Sequence, residues 1–157
     1  MRVGIGYDIH ALRKGRKLVL GGVKISHPKG LFGHSDGDAL LHAIVDAALG
    51  AAGLGDIGEH FSDKQARWSG VSSLLFARET ALLLKKKKLR IVNIDSIVVL
   101  ELPKLAPYKK TMRDSIAGAF GVETSRVNVK AKTNEGLGPI GKGQAIAAHA
   151  VVTLEKF

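Results

Sequence analysis

Asp8 and His10 stand two residues apart in a stretch that alternates like a strand, and His42 follows on a segment with helical spacing. Side chains at i and i+2 of a strand share a face, so Asp8 and His10 can converge on one point. His42 can reach that point from a neighbouring element. Two imidazoles, one carboxylate and an open fourth position make the ligand set of a catalytic zinc rather than a structural one. Asp38 and Asp46 lie four residues either side of His42, on its helix face. A metal-bound imidazole usually gives its other N–H to a carboxylate or carbonyl, and either aspartate could take that role. The three side chains could equally form a plain polar helix face.

The second region with chemistry is Gly136–Gly143. It nearly matches a Walker A loop but has Gly143 where the magnesium-binding Ser/Thr would stand. The alternation of Ile146 and Ala148 after it predicts a strand, whereas a P-loop opens a helix, so nucleotide hydrolysis is excluded. A glycine-rich loop with Lys142 can still approach phosphate through backbone N–H groups. Lys132 and Thr133 suit phosphate, and Glu135 suits a hard cation such as Mg²⁺; a simple surface turn is the alternative. His34, beside Ser35, could hydrogen-bond a substrate phosphate. His27 and His149 read as structural or exposed, and His60 stays open.

These residues must be positioned by a small set of elements. Arg2–Asp8 reads as a strand, with Val3 and Ile5 on one side. Lys17–Ile25 reads as a hairpin broken by Gly21-Gly22, and 30–35 as a loop. Residues 36–49 form a helix with Leu41, Ile44, Val45, Ala48 and Leu49 at its apolar spacing, capped by Ser35 or Asp36 and stopped by Gly50. The stretch 53–70 is a long loop. A helix runs from about Val71 to Lys87. Ile91–Leu102 is a strand with Ile94, Val98, Leu100 and Leu102 on one face. Pro103 and Pro107 bracket a loop, and Pro107 opens a helix that ends before Gly121. Strands follow at 126–133, with Val127, Val129 and Ala131 inward, and at 144–155, with Ile146, Ala148, Val152 and Leu154 facing one way. The expectation is an α+β fold: one domain over 1–157, a mixed sheet of about four to five strands, and helices packed on one face.

The length fits one domain, and no apolar run approaches a membrane span. The start of the chain has neither a signal-peptide nor a transit-peptide pattern. With no cysteine, disulfides and thiolate metal sites are excluded. A cytoplasmic protein is expected. The net charge of +10 calls for anionic partners. The Lys85–Lys88 run reads as a solvated helix end, where cations favour the helix dipole. Aromatic residues are few and not interleaved with basic ones, which argues against a nucleic-acid stacking platform.

Ser35-Asp36-Gly37-Asp38, His42-Ala43, Asp46-Ala47, Gly50-Ala51 and Gly55-Asp56-Ile57-Gly58 with Phe61 closely resemble the signature of the 2-C-methyl-D-erythritol 2,4-cyclodiphosphate synthase family. The resemblance extends to Gly4–His10 and to Lys130–Glu135 with Gly138, and so spans nearly the whole chain. It implies that Asp8, His10 and His42 bind Zn²⁺, whose open position takes a diphosphate oxygen, and that Glu135 binds Mg²⁺ or Mn²⁺ together with substrate phosphates. His34 and Thr133 match positions that stabilise the transition state. The implied substrate contacts run through Asp8, Ile9, His10, His34 and Ser35. Asp56, Ile57 and Gly58, with Phe61, Ser62, Asp63, Lys64 and Gln65, match the segment that holds methylerythritol. Leu100, Glu101, Leu102, Pro103, Lys104, Leu105 and Ala106, with Lys132, Thr133, Asn134 and Glu135, match the cytidine and phosphate pocket. Pro139 and Lys142 complete the set.

The implied assembly is a homotrimer with sheets around a central cavity and active sites between subunits, free of nucleic acid and membrane. The implied activity is a lyase reaction that forms a cyclic diphosphate and releases CMP in isoprenoid biosynthesis. Three departures stand out. Phe61–Gln65 replaces a common Phe-Pro-Asp-Thr-Asp loop, and Pro139 stands where an aromatic is frequent. Lys142 and Gln144 stand where Arg and Glu are frequent, near the cavity that binds isoprenoid diphosphates in some members. Two rivals remain on the residues alone: a metal-dependent phosphohydrolase with an activated water, and a basic nucleic-acid-binding module.

Overall fold

A computed structural model describes all 157 residues. In chain order the elements are β1 (Arg2–Lys14), β2 (Leu18–Leu20), β3 (Val23–Ile25), β4 (Lys29–Leu31), α1 (Ala39–Ala52), α2 (Ile57–His60), α3 (Ser73–Lys86), β5 (Leu89–Val99), α4 (Lys109–Phe120), β6 (Val127–Lys132), the single turn α5 (Gly138–Gly141) and β7 (Ala145–Lys156). Short 3₁₀ turns lie at Ala66–Trp68, Ala106–Tyr108 and Thr124–Arg126. One sheet takes the order β4-β1-β7-β5-β6, and β2 and β3 form a separate hairpin. All sheet pairs are antiparallel except β5 with β6, which the α4 crossover joins in parallel. The α+β expectation of a mixed sheet with helices on one face is met.

The helix α1 is buried almost all round and is the centre of the core. Strand β1 meets it through glycine. A Cβ added at Gly4 would lie 2.0 Å from the Ala47 carbonyl oxygen, and one at Gly6 would lie 1.9 Å from that of Ala43. Backbone therefore packs on backbone along a seam of Gly4, Gly6, Ala43, Ala47 and Ala51, which only small residues allow. Val3 and Ile5 do share one side, but it is the outer side: with Tyr7 and Ile9 they are exposed. Asp8 and His10 continue the glycine face toward α1.

Several boundaries differ from expectation for local reasons. Gly30 and Leu31, expected in a loop, join Lys29 in the edge strand β4 against the end of β1. The cap of α1 is Asp38, not Ser35 or Asp36. Its carboxylate accepts from Leu41 N–H at 3.0 Å and also from Gly21 and Gly22 N–H at 3.0 and 2.7 Å, so one side chain caps the helix and ties down the hairpin turn. Gly50 does not stop α1; Gly53 does, in the left-handed conformation at φ 68°. The expected loop 53–70 contains α2 and a 3₁₀ turn. Ile94, Val98 and Leu100 are buried as one face of β5, but Leu102 lies past its end and is exposed. The Lys85–Lys88 run does finish α3.

Candidate active site

The seam sets the first half of the site. His42 sits one residue before Ala43, and Asp8 two residues after Gly6, so closing the backbone seam brings their side chains together. Asp8 Oδ2 lies 2.8 Å from His10 Nε2 and 3.0 Å from His42 Nδ1, and the two nitrogens are 3.3 Å apart. A tetrahedral zinc with bonds near 2.0–2.1 Å separates its donors by roughly 3.3 Å, so these atoms fit one small cation. The other nitrogen of His10, Nδ1, bonds the Phe32 carbonyl at 2.7 Å, which fixes that ring.

The outer partner of His42 is neither Asp38 nor Asp46. Asp38 is fully buried in its capping role, and Asp46 accepts Ile57 N–H at 2.9 Å at the start of α2. His42 Nε2 instead lies 2.9 Å from Ser73 Oγ and 3.1 Å from Ser35 Oγ, and Ser73 donates to Asp36 Oδ1 at 2.5 Å. Helix spacing alone points to the i±4 aspartates. Ser73 comes from α3, thirty-one residues on, and carries no sequence signal of its own.

The charges of the cluster are mutually set. Burial pushes the Asp8 carboxyl up, but hydrogen bonds and charge from His10 and His42 outweigh it and hold the group at about 2. Burial pushes His10 down, but Asp8 prevails and its pKa is raised above 6.5. Burial drives the Asp38 carboxyl up to about 6, against the backbone N–H groups it accepts.

His10 and His42 of the trio line a cavity of about 300 Å³. His34, Ser35, Ile57, Gly58, Ser62 and Asp63 line it, with Phe61, Trp68 and Phe76 as an aromatic wall. Phe61 and Phe76 stack at 4.8 Å, with Trp68 edge-on to both. His34 is exposed at the mouth, 3.7 Å from Asp63. Asp56 caps α2 through Glu59 N–H, and Lys64 and Gln65 lie outside the lining.

A second cavity of about 230 Å³ gathers Leu100, Glu101, Pro103, Lys104, Leu105, Ala106, Lys132 and Thr133. Leu100 and Leu105 are buried and back it from the core. The Glu101 carboxylate accepts Asn134 N–H at 2.7 Å, tying the two loops together. Glu135, at φ 52°, has its carboxylate 3.3 Å from the Thr133 hydroxyl. Leu102 and Lys142 turn to a separate cavity beside Lys29, and Pro139 sits in α5. The cavity of the histidines and that of Lys132 share no residue. Within one chain, Glu135 and Lys132 lie outside the cavity of the metal trio.

Of the three remaining histidines, His27 is half-buried and lines the cavity beside Lys29. His60 bonds the Leu54 carbonyl at 2.7 Å, and His149 is exposed beside Tyr7 on the outer sheet face. No helix is long and apolar enough to cross a membrane.

The YgbB family model matches residues 1–155. The 2-C-methyl-D-erythritol 2,4-cyclodiphosphate synthase of Syntrophomonas wolfei is 54% identical over 99% of this chain and 99% of its own length. That of Gloeobacter violaceus is 55% identical over 99% and 96%. A solved 2C-methyl-D-erythritol-2,4-cyclodiphosphate synthase in a CDP-bound form superposes with a TM-score of 0.90 at 40% identity, covering 98% of this chain and all of that one.

Proposed function

The chain belongs to the YgbB family of 2-C-methyl-D-erythritol 2,4-cyclodiphosphate synthases, and from that membership we infer how its own residues carry out the reaction. The enzyme is a lyase of isoprenoid precursor biosynthesis. An oxygen of the 2-phosphate of 4-diphosphocytidyl-2-C-methyl-D-erythritol 2-phosphate forms a bond to the β-phosphorus. The bond from that phosphorus to the bridging oxygen breaks, and CMP leaves with the electron pair. No water is consumed, and no protein nucleophile is needed.

The difficulty is an anion attacking an anion, since two unit charges 4 Å apart repel by about 4 kcal/mol near a surface. Asp8, His10 and His42 would hold Zn²⁺, which would offset that repulsion and polarise the β-phosphate. Glu135 would help hold a second divalent cation, Mg²⁺ or Mn²⁺. Ile57, Gly58 and the Phe61–Asp63 part of the next loop enclose the methylerythritol, while Phe61, Trp68 and Phe76 exclude water that would compete with the internal nucleophile. Positioning of this kind is worth roughly 7–11 kcal/mol in well-oriented intramolecular reactions. His34 and Thr133 stabilise charge on the transferring phosphoryl group, and the second cavity takes the cytidine.

Two observations support a homotrimer. The metal cavity and the cytidine cavity share no residue of one chain, as a site built from two chains would require. The exposed stripe Val3, Ile5, Tyr7 and Ile9 offers an apolar face for that association. The location is cytoplasmic, and the partners are the nucleotide substrate and two further copies of the chain.

The observation that carries the reading is the convergence of three donor atoms within 4.8 Å of one another, two of them on histidines that line the first cavity. Turnover of the cytidyl substrate with Mg²⁺ in ¹⁸O-water tests it: CMP and the cyclic product should both be free of label. Label in either would identify a phosphohydrolase that uses the same trio.

A further inference from the structure

We propose that Ser73 and Asp36 are positioning residues for His42, a carboxylate–hydroxyl relay that holds its Nδ1 toward Asp8 and His10 as a metal ligand. The proposal rests on the zinc reading above. A metal on Nδ1 requires a lone pair there, so the ring proton must sit on Nε2. The partner of Nε2 at 2.9 Å is Ser73 Oγ, whose own proton is committed to Asp36 Oδ1 at 2.5 Å. Ser73 can therefore accept from His42 but has no proton left to donate, which selects the tautomer the metal needs.

Asp36 is itself fixed. Its carboxylate also accepts Ser73 N–H at 3.0 Å and Asp38 N–H at 3.2 Å. Ser73 is fully buried, so water does not compete for its hydroxyl. Nor is that hydroxyl needed to cap α3, because Ser72 fills the cap by accepting Leu74 N–H. Ser35 Oγ, 3.3 Å from Ser73 Oγ, accepts Gly37 N–H and gives Nε2 a second, longer contact.

The test compares full-length Ser73→Ala, Ser73→Thr and Asp36→Asn with the parent. Zinc affinity is read by chelator competition, ligand geometry by the d–d absorption of the cobalt-substituted protein, and folding by the metal-free thermal midpoint. Ser73→Ala and Asp36→Asn should bind zinc on the order of 10–100-fold more weakly, with shifted cobalt bands. Ser73→Thr, which keeps the hydroxyl, should recover most of the affinity. Affinity in Ser73→Ala within about twofold of the parent, with the parent cobalt spectrum, would overturn the relay alone, since outer partners are normally worth far more. A loss that Ser73→Thr fails to recover while melting like the parent would overturn it too. A parent that binds no zinc, or whose zinc survives Asp8→Ala, would remove the zinc reading and the relay with it.

Discussion

His42 Nδ1 lies 3.0 Å from Asp8 Oδ2, across the line where β1 crosses α1 backbone to backbone. The two residues are thirty-four positions apart, and their distance is governed by Gly4 and Gly6 rather than by their own side chains. The site and the core packing are thus one piece of geometry.

Replacing either end of that contact should abolish metal and activity together. Asp8→Ala and His42→Ala are expected to retain less than about a tenth of the zinc by elemental analysis. CMP release should fall by about three orders of magnitude, the scale of several kcal/mol of transition-state charge stabilisation. Full activity in metal-free His42→Ala protein would remove the trio from the mechanism.

Gly6→Ala should damage both fold and site. Its Cβ would meet the Ala43 carbonyl at 1.9 Å, and a backbone atom cannot swing aside. A loss of about 3 kcal/mol is expected, the upper end of overpacking costs. In a chain of this size that lowers the thermal midpoint by roughly 6–12 °C. Ile5→Ala, on the outer face of the same strand, should leave the metal-free protomer's zinc affinity unchanged.

The metal-free protein should be more stable near pH 5 than near pH 7.5. His10 has a raised pKa, so its contribution is complete below 6.5 and is lost as pH rises through the folded value. Asp38 is raised from 3.8 to about 6, so stability also falls as pH rises through that interval. Asp8 acts in the opposite sense: held at about 2, it contributes above 3.8 and that contribution is lost on acidification toward 2. Thermal melts in EDTA across pH 3–8 check this pattern. Zinc binding requires a neutral His10, so zinc affinity should climb over the upper part of the same range. A flat stability profile would contradict the ion pair.

Mixing two inactive variants should restore activity. Asp8→Ala lacks the zinc half and Glu135→Ala the other half. In mixed assemblies with random subunit exchange, about a quarter of interfacial sites would receive both intact halves. Recovery of CMP release toward that fraction indicates sites shared between chains; no recovery, with exchange verified by mass, indicates a site complete in one chain.

The only tryptophan, Trp68, stands in the wall of the metal cavity. Titration with the cyclic product should change its emission with the same midpoint as calorimetric binding. An unchanged spectrum at saturation would place the ligand elsewhere.

Much of this architecture was legible in the residues. The i, i+2 spacing of Asp8 and His10 announces a shared strand face, and the spacing of α1 and of β7 gives their buried sides. Other features depended on contacts between distant segments. Val3 and Ile5 look like core by side-chain type, yet the inward face belongs to glycine because α1 lies too close for anything larger. Asp38 and Asp46 look like partners of His42 by helix spacing, yet a hairpin turn claims one and the start of α2 the other. Ser73 stabilises the ring instead, from an element that periodicity cannot connect to it. The cap is Asp38 rather than Ser35 or Asp36 for the same reason: its carboxylate also holds Gly21 and Gly22, far back in the chain.

The glycine–alanine seam also bears on how the metal is acquired. Where ligands hang from mobile loops, ion binding must order them and loses affinity to that entropy. Here two of the three ligands follow directly from a rigid strand and the third from the helix it grips, so the coordination cage exists before the ion arrives. Uptake should then be a simple bimolecular encounter, with a rate proportional to free metal and no slow folding phase behind it.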